Sequence, residues 1–477
     1  MKRYIIALLS VTIAAFSITG PDLFAQYEPY DAVYEKLVKE YTLHPDGSIA
    51  VRYQKQQKLQ SYRAFHNLYG ETFIVYDTIH QELKFNEVYT VMADGKKVVT
   101  PPNAFNLVLP SYAANAPAYN VLREMVVTHT GLERGAFIHL DYTLLTHAGV
   151  LPFLSGNELL AQQEPVRHLE IRVRIPSAMA LRYKTTGVEL KPVESAEGPF
   201  RVYTWIMKDV SALSGEDGQP GGQQQYPWLF FTTSADAKEG LSFLSSRTEF
   251  SAGLTEWIKE TVTRIREEMK DPAAVAVRLQ ELVTEEMRSY GVPLQAALYR
   301  FRSPEQTWQS NGGTQIEKAI LLAAMLRHAG MEAFVAGVVR TPLYDRKMAI
   351  LGQPDEFCVR VNMKETGVWY LSVTGQNSVN LKHTLSGRTF IVFGESGKVS
   401  YEESGESRHV VQVTGNFMVS SDPKLTGELT LYMEGAVYPR PGLVRDTTML
   451  RKALTGNLVK RSEERRVGKE CRSRRSP

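Results

Sequence analysis

Hydrophobic and polar positions divide the chain into a long β-patterned stretch, a helical stretch and a second β-patterned stretch. From about Tyr27 to Lys208 the pattern is mostly that of strands. Val33 to Tyr41, Ile49 to Leu59 and Phe85 to Val91 concentrate β-branched and aromatic residues. Pro45-Asp46-Gly47-Ser48 and Asp94-Gly95-Lys96 supply turns around them. Phe137 to Tyr142 and His168 to Ile175 alternate apolar with polar, as strands with one wet face do. Beyond a glycine-rich stretch, Leu254, Ile258, Val262 and Ile265 recur at helical spacing. Pro272 opens a second helix carrying Val275, Leu279, Leu282 and Val283. A third helix is predicted from about Thr314 to His328, with Gly330 placed to end it. Phe334 to Val339, Phe357 to Val361 and Trp369 to Thr374 return to strand patterning, and Val410 to Tyr432 begins another β-rich region.

These patterns predict a multi-domain, β-rich protein. The N-terminal part, residues 26–213, reads as an antiparallel β-sandwich. Residues 214–235, containing Ser214 to Gln223, read as a linker with little to bury. Residues 236–400 read as an α+β domain, helices first and strands after. Residues 401–460 read as the start of a C-terminal β domain, expected to be truncated. No internal repeat is present.

The two ends change this picture. Met1, Lys2 and Arg3, the apolar run from Tyr4 to about Phe16, and Leu23-Phe24-Ala25 follow the pattern of a secretory signal peptide, residues 1–25. The competing reading is a membrane anchor, but the run falls short of the roughly 20 apolar residues a spanning helix needs. Export leads to a periplasmic or secreted location, with no transmembrane segment expected after cleavage. At the other end, residues 461–477 resemble the translation of a sequencing adapter, against the alternative of a natural basic tail. That segment holds seven basic and three acidic residues, so the net +3 of the full chain becomes −1 without it. The composition-based case for nucleic acid then disappears. Setting Cys471 aside with that segment leaves Cys358 alone, so no internal disulfide is expected in an oxidising compartment. The rest, about 435 residues, is enough for two to three domains.

The stretch with chemical content runs from Trp308 through Asn311-Gly312-Gly313-Thr314-Gln315-Ile316-Glu317-Lys318 to His328-Ala329-Gly330. It resembles the core motif of bacterial transglutaminase-like (papain-type) domains. There, a glycine precedes a nucleophilic cysteine at a helix start, with an acidic residue and a lysine close behind. A thiol in that position feels the positive end of the helix dipole, which favours the thiolate. A histidine on a following strand acts as base, and a carboxylate orients it. Aligning Glu317 and Lys318 with the acidic-lysine pair places Gln315 at the cysteine position, Cys358 at the histidine position and Ser372 at the aspartate position. The resemblance therefore implies the fold with no catalytic residue in place. Weaker likenesses at Met92 to Lys96, Gly131 to Gly135 and Gln163 to Val166 resemble the uncharacterised β domain preceding this core in exported proteins of Bacteroidetes-type bacteria.

A glutamine amide is no nucleophile at neutral pH and cannot form a thioester. Cys358 within a strand reads more naturally as a small buried hydrophobe than as a displaced nucleophile. His328 reads as a helix-end residue. His383 could pair with Ser372 or Ser386, at a spacing that chance also supplies. The ten histidines are scattered without His-Glu-x-x-His spacing, so neither a metal nor a cofactor is implied. Gly312-Gly313 lacks the rest of a phosphate loop. Trp308 and Trp369 are candidate walls of the cleft, with simple core packing as the alternative.

Three functional readings follow. The first is a pseudoenzyme that binds or scaffolds a periplasmic protein or peptide. The second is an active amide-bond hydrolase or protein cross-linker using Cys358 or Ser372. The third is a structural role in which the β domains assemble and the centre is a spacer.

Overall fold

The computed structural model describes residues 30–213, 226–340, 345–354, 356–374, 388–394, 397–403, 410–419, 421 and 425–434. The proposed signal peptide, the C-terminal segment from residue 435 onward, and His383 with Ser386 lie outside the described residues.

The N-terminal region contains β1 (Ala32–Leu43), β2 (Ile49–Leu59), β3 (Glu71–Asp77), β4 (Gln81–Val91), β5 (Lys97–Val99), β6 (Phe105–Val108) and β7 (Leu122–Thr128). It continues through β8 (Phe137–Thr146), β9 (Ser155–Leu159), β10 (Val166–Pro176), β11 (Arg182–Thr186), β12 (Val193–Glu197), β13 (Phe200–Val210) and β14 (Trp228–Thr232). Eight of these form one sheet in the order β12-β13-β10-β1-β2-β8-β4-β5. Leu37, Leu169, Leu140 and Val88 share one inward row across it. Two three-stranded sheets cover that face, β3-β7-β6 toward one end and β11-β14-β9 toward the other.

Two features differ from the sequence expectation. The main sheet is not wholly antiparallel, because β1 and β10 run parallel, Leu37 opposite Leu169. Alternation reports which face a residue takes, not strand direction, so this pairing has no local signature. The expected linker of residues 214–235 also gives way to β14 at its far end. Trp228-Leu229-Phe230-Phe231-Thr232 is a continuous apolar run that pairs with both β9 and β11. Phe231 is fully buried beneath Tyr41, ring centroids 5.0 Å apart, and contributes on the order of 3 kcal/mol by leaving water. The partner position is Gly156, where a β-carbon would come within 2.3 Å of the Phe231 ring.

One charged residue interrupts the inward row. Lys55 is buried beside Leu140 and reaches the Gln57 Oε1 at 3.3 Å and the Thr72 Oγ1 at 3.2 Å. Burial pushes its ammonium down to about 8. The same Thr72 hydroxyl lies 2.9 Å from Nε2 of buried His129.

The central region opens with helices α1 (Ala237–Ser245), α2 (Thr248–Ser251), α3 (Glu256–Met269) and α4 (Pro272–Glu281). Next come β15 (Arg288–Ser289), α5 (Pro304–Gln309), β16 (Gly312–Gly313) and α6 (Gln315–His328). Leu254 lies just before α3, and Leu282 and Val283 fall in a π-type turn that prolongs α4. Strands β17 (Glu332–Arg340), β18 (Glu356–Met363), β19 (Gly367–Ser372), β20 (Arg388–Phe393) and β21 (Val399–Glu403) build an antiparallel sheet ordered β19-β18-β17-β20-β21. The sheet therefore runs slightly past the boundary at residue 400 drawn from sequence. Helix α6 is the hub, buried at every position from Ile316 to Leu326 and packed on β17 and β18. A helix apolar all round needs such enclosure.

Strands β22 (Val410–Val419) and β23 (Leu425–Glu434) pair with each other as a separate hairpin. Val413, Phe417, Met418, Val419 and Tyr432 are exposed on it. Among the described residues no helix is long and apolar enough to cross a membrane.

Candidate functional site

The turn into α6 is built by close packing. Gly312 and Gly313 lie beside Arg288 and Ser289 in a short parallel ladder. A β-carbon on Gly312 would meet the Tyr290 ring at 2.8 Å, and one on Gly313 would meet Thr307 Cγ2 at 2.8 Å. The glycine pair is thus required by its neighbours.

Behind the turn sits Glu317, fully buried. Its Oε1 accepts from the Tyr119 hydroxyl at 2.7 Å, the Arg302 backbone N–H at 2.9 Å and the Arg302 Nε at 2.8 Å. Its Oε2 accepts from Arg302 Nη2 at 3.0 Å and from the Thr314 N–H at 2.8 Å. Burial is the largest single influence on this carboxyl and opposes ionisation. The Arg302 hydrogen bonds and charge, with Tyr119 and Thr314, outweigh it and hold Glu317 below the usual carboxylate range. Lys318 is also buried; its Nζ donates to the Ser289 Oγ at 2.9 Å and the Met287 carbonyl at 3.3 Å. Burial lowers it to about 8. Both members of the acidic-lysine pair therefore hold the frame together.

The three positions aligned with a catalytic triad have other partners. Gln315 accepts through Oε1 from the backbone N–H of Phe357 at 3.2 Å, tying the start of α6 to β18. Cys358 lies directly opposite Ser372 in the β18–β19 ladder. Strand alternation turns Phe357 and Val359 toward α6 and Cys358 away from it, against Ala336, Val338, Tyr370 and Phe390. Gln315 and Cys358 thus approach through the backbone of β18, not side chain to side chain. Burial, with the Glu356 charge second, pushes the Cys358 thiol well above the usual thiol range. Ser372, also buried, shares its hydroxyl with Thr374 Oγ1 at 3.1 Å and accepts from the Thr374 N–H at 3.2 Å. Its carbonyl accepts from Gln280 Nε2 at 3.1 Å.

No base comes near. Among the described residues no histidine hydrogen-bonds to Cys358 or Ser372. His328 is exposed at the far end of α6, roughly 20 Å along the helix from Gln315. No group of three or more potential metal ligands occurs among the described residues.

The two tryptophans have separate surroundings. Trp308 meets Trp257 edge-to-face at 5.4 Å and lines a groove of about 600 Å³ with Arg264, Glu268 and Leu282. Trp369 lies opposite Val361 on β19 and packs against the helical core.

Sequence reading missed Tyr119 and Arg302. Both reach Glu317 from outside the motif, and neither sits in a periodic pattern that would single it out.

The family model for a domain of unknown function with solved structure (DUF3857) matches residues 45–214. Over 79% of its length the chain is similar to a solved "putative protease" from Parabacteroides distasonis, at 30% identity and a TM-score of 0.72, covering 72% of that chain. No curated protein matches the sequence.

Proposed function

Because the chain belongs to the family of that Parabacteroides distasonis protein, we propose that it is a transglutaminase-like pseudoenzyme. In this reading it is exported to the periplasm or beyond, through the segment Met1 to Ala25, and binds or scaffolds a protein or peptide without thiol catalysis. The observation that carries the reading is the use of Gln315. An amide sits at the helix start where a thiolate would draw on the dipole, and it is engaged with the Phe357 backbone. A protein or peptide is the favoured partner because the fold that the core motif resembles handles amide-bearing chains.

A second reading has one observation in its favour, the name of the solved relative. In that reading Cys358 or Ser372 serves as a displaced nucleophile for amide hydrolysis or cross-linking. Burial of both side chains and the absence of a hydrogen-bonded histidine among the described residues argue against it. Turnover decides. The full chain is assayed for amine incorporation into protein and for hydrolysis of amide-bearing peptides. The pseudoenzyme produces neither above buffer. Turnover lost in Cys358→Ser or Ser372→Ala would establish the second reading.

A further inference from the structure

Helix α3 has two working faces. Ile258, Val262 and Ile265 are buried in the helical core. Trp257, Thr261, Arg264 and Glu268 recur at helical spacing on a second face and line the groove that Trp308 borders from α5. Of the five tryptophans only Trp257 is exposed, at 49%. The two indole planes cross at 81°, so that one ring forms a floor and the other a wall. An indole left in water inside a concavity, beside a second indole and an arginine, has the composition of a recognition surface.

The polar groups of the groove divide into engaged and free. Arg278 Nη2 stands 2.7 Å from Glu286 Oε1, which occupies both. The side chains of Arg264 and Glu268 have no hydrogen-bond or ion-pair partner among the described residues, although one helical turn separates them. Asn311 is held by its backbone. Its N–H donates to the Trp308 carbonyl at 2.9 Å and its carbonyl accepts from the Arg288 N–H at 3.0 Å. Its φ of 46° is one that asparagine tolerates. The exposed Asn311 amide is likewise without a partner among the described residues. The free groups are thus a cation, an anion and an amide, with no net charge. Each is planar and can hold two neighbouring polar atoms.

That balance disfavours a strongly charged ligand. The groove is walled mainly by helices, so an extended peptide finds little strand edge to pair with, and the interleaved charges leave no continuous apolar stripe for an amphipathic helix. A sugar hydroxyl both donates and accepts, so adjacent hydroxyls can use Arg264 and Asn311 as donors and Glu268 as acceptor. In a pyranose whose hydroxyls are all equatorial, the axial C–H hydrogens form a flat positive face that matches the negative face of an indole. Equatorial β-linkages keep successive rings extended along a groove. At about 600 Å³ the space lies within the ~300–1,000 Å³ usual for small-ligand clefts. We propose that the Trp257–Trp308 groove binds a neutral, β-linked oligosaccharide of gluco-configured units, stacked on Trp257 and hydrogen-bonded by Arg264, Glu268 and Asn311. The inference goes beyond the pseudoenzyme reading and stands whether or not the protein turns over amides.

Tryptophan fluorescence and calorimetric titration of the full chain test it. The probes are cellotetraose, tetra-N-acetylchitotetraose and, as the rival class, a capped tetraproline peptide. At least one saccharide is expected to bind with a Kd on the order of 1 mM or tighter, and the peptide is not. Trp257→Ala should weaken saccharide binding about tenfold or more. Trp257→Phe, which keeps a ring face, should weaken it less. Glu268→Ala should weaken it more than Glu268→Gln, which keeps an acceptor and loses only charge. Thermal melts confirm that each variant is folded, as expected for exposed positions. No response to either saccharide, peptide binding as tight as theirs, or unchanged affinity in a folded Trp257→Ala overturns the proposal.

Discussion

The Tyr119 hydroxyl donates to the Glu317 carboxylate at 2.7 Å, joining residues 198 positions apart in the chain. The loop before β7 is thereby fixed to the first turn of α6, and Ala116, Tyr119 and Leu122 add apolar contact with Tyr290, Val292 and Ala297. The N-terminal β region and the central helix are one packed unit at this point.

Glu317 depends on its donors. Arg302→Met leaves a buried carboxylate without its cation and is expected to cost about 3–5 kcal/mol. Tyr119→Phe removes one neutral donor and is expected to cost about 1–2 kcal/mol. Urea unfolding midpoints measure both. Equal small losses would show that Glu317 is not the ionised centre described.

Gly313→Ala places a methyl 2.8 Å from Thr307 Cγ2. A loss of about 1–3 kcal/mol is expected from overpacking. Thr307→Ser removes that methyl, so the double variant should recover part of the loss, and a double-mutant cycle should show coupling. Strict additivity would mean that the glycine serves another purpose.

The α6 motif was legible because its signals are local. Gly312-Gly313, the Glu317-Lys318 pair and the apolar run to Leu326 lie within one short segment, and the helix forms where their spacing places it. Tyr119 and Arg302 were not legible, because their value comes from meeting Glu317 across the fold. Strand alternation likewise showed where β18 and β19 run but not that Cys358 faces away from α6, which depends on which face the helix covers. The apolar run of β14 was present in the sequence but was masked by the glycine-rich stretch before it.

Acid should weaken the N-terminal region through His129. Burial, with the Lys55 charge second, pushes its imidazole down to about 3. Between pH 6.5 and 3 the unfolded chain takes up a proton that the folded chain refuses, so stability falls as pH falls across that window. The effect at pH 4 is about 3 kcal/mol. Unfolding free energies of the parent and His129→Gln, measured from pH 7 to pH 4, should diverge in slope, with the variant flatter. Parallel slopes would refute this assignment.

Gln315→Cys tests the helix start itself. A thiol there feels the N-terminal end of α6 and should react with iodoacetamide faster than an ordinary exposed cysteine near neutral pH. Amide turnover should stay absent, because neither Cys358 nor Ser372 can serve as base or orienting carboxylate. Turnover from this single change would place an unassigned base beside Gln315.

Cys358 itself provides the sharpest measurement. In a Cys471→Ser background it is the only thiol, and its alkylation can be followed by intact mass as the protein is held folded near neutral pH and then unfolded. A buried, un-ionised sulfur predicts no label in the folded protein and full label once urea opens the sheet. Rapid modification of the folded protein, lost on mild unfolding, would reveal an activated thiolate and contradict the non-catalytic account.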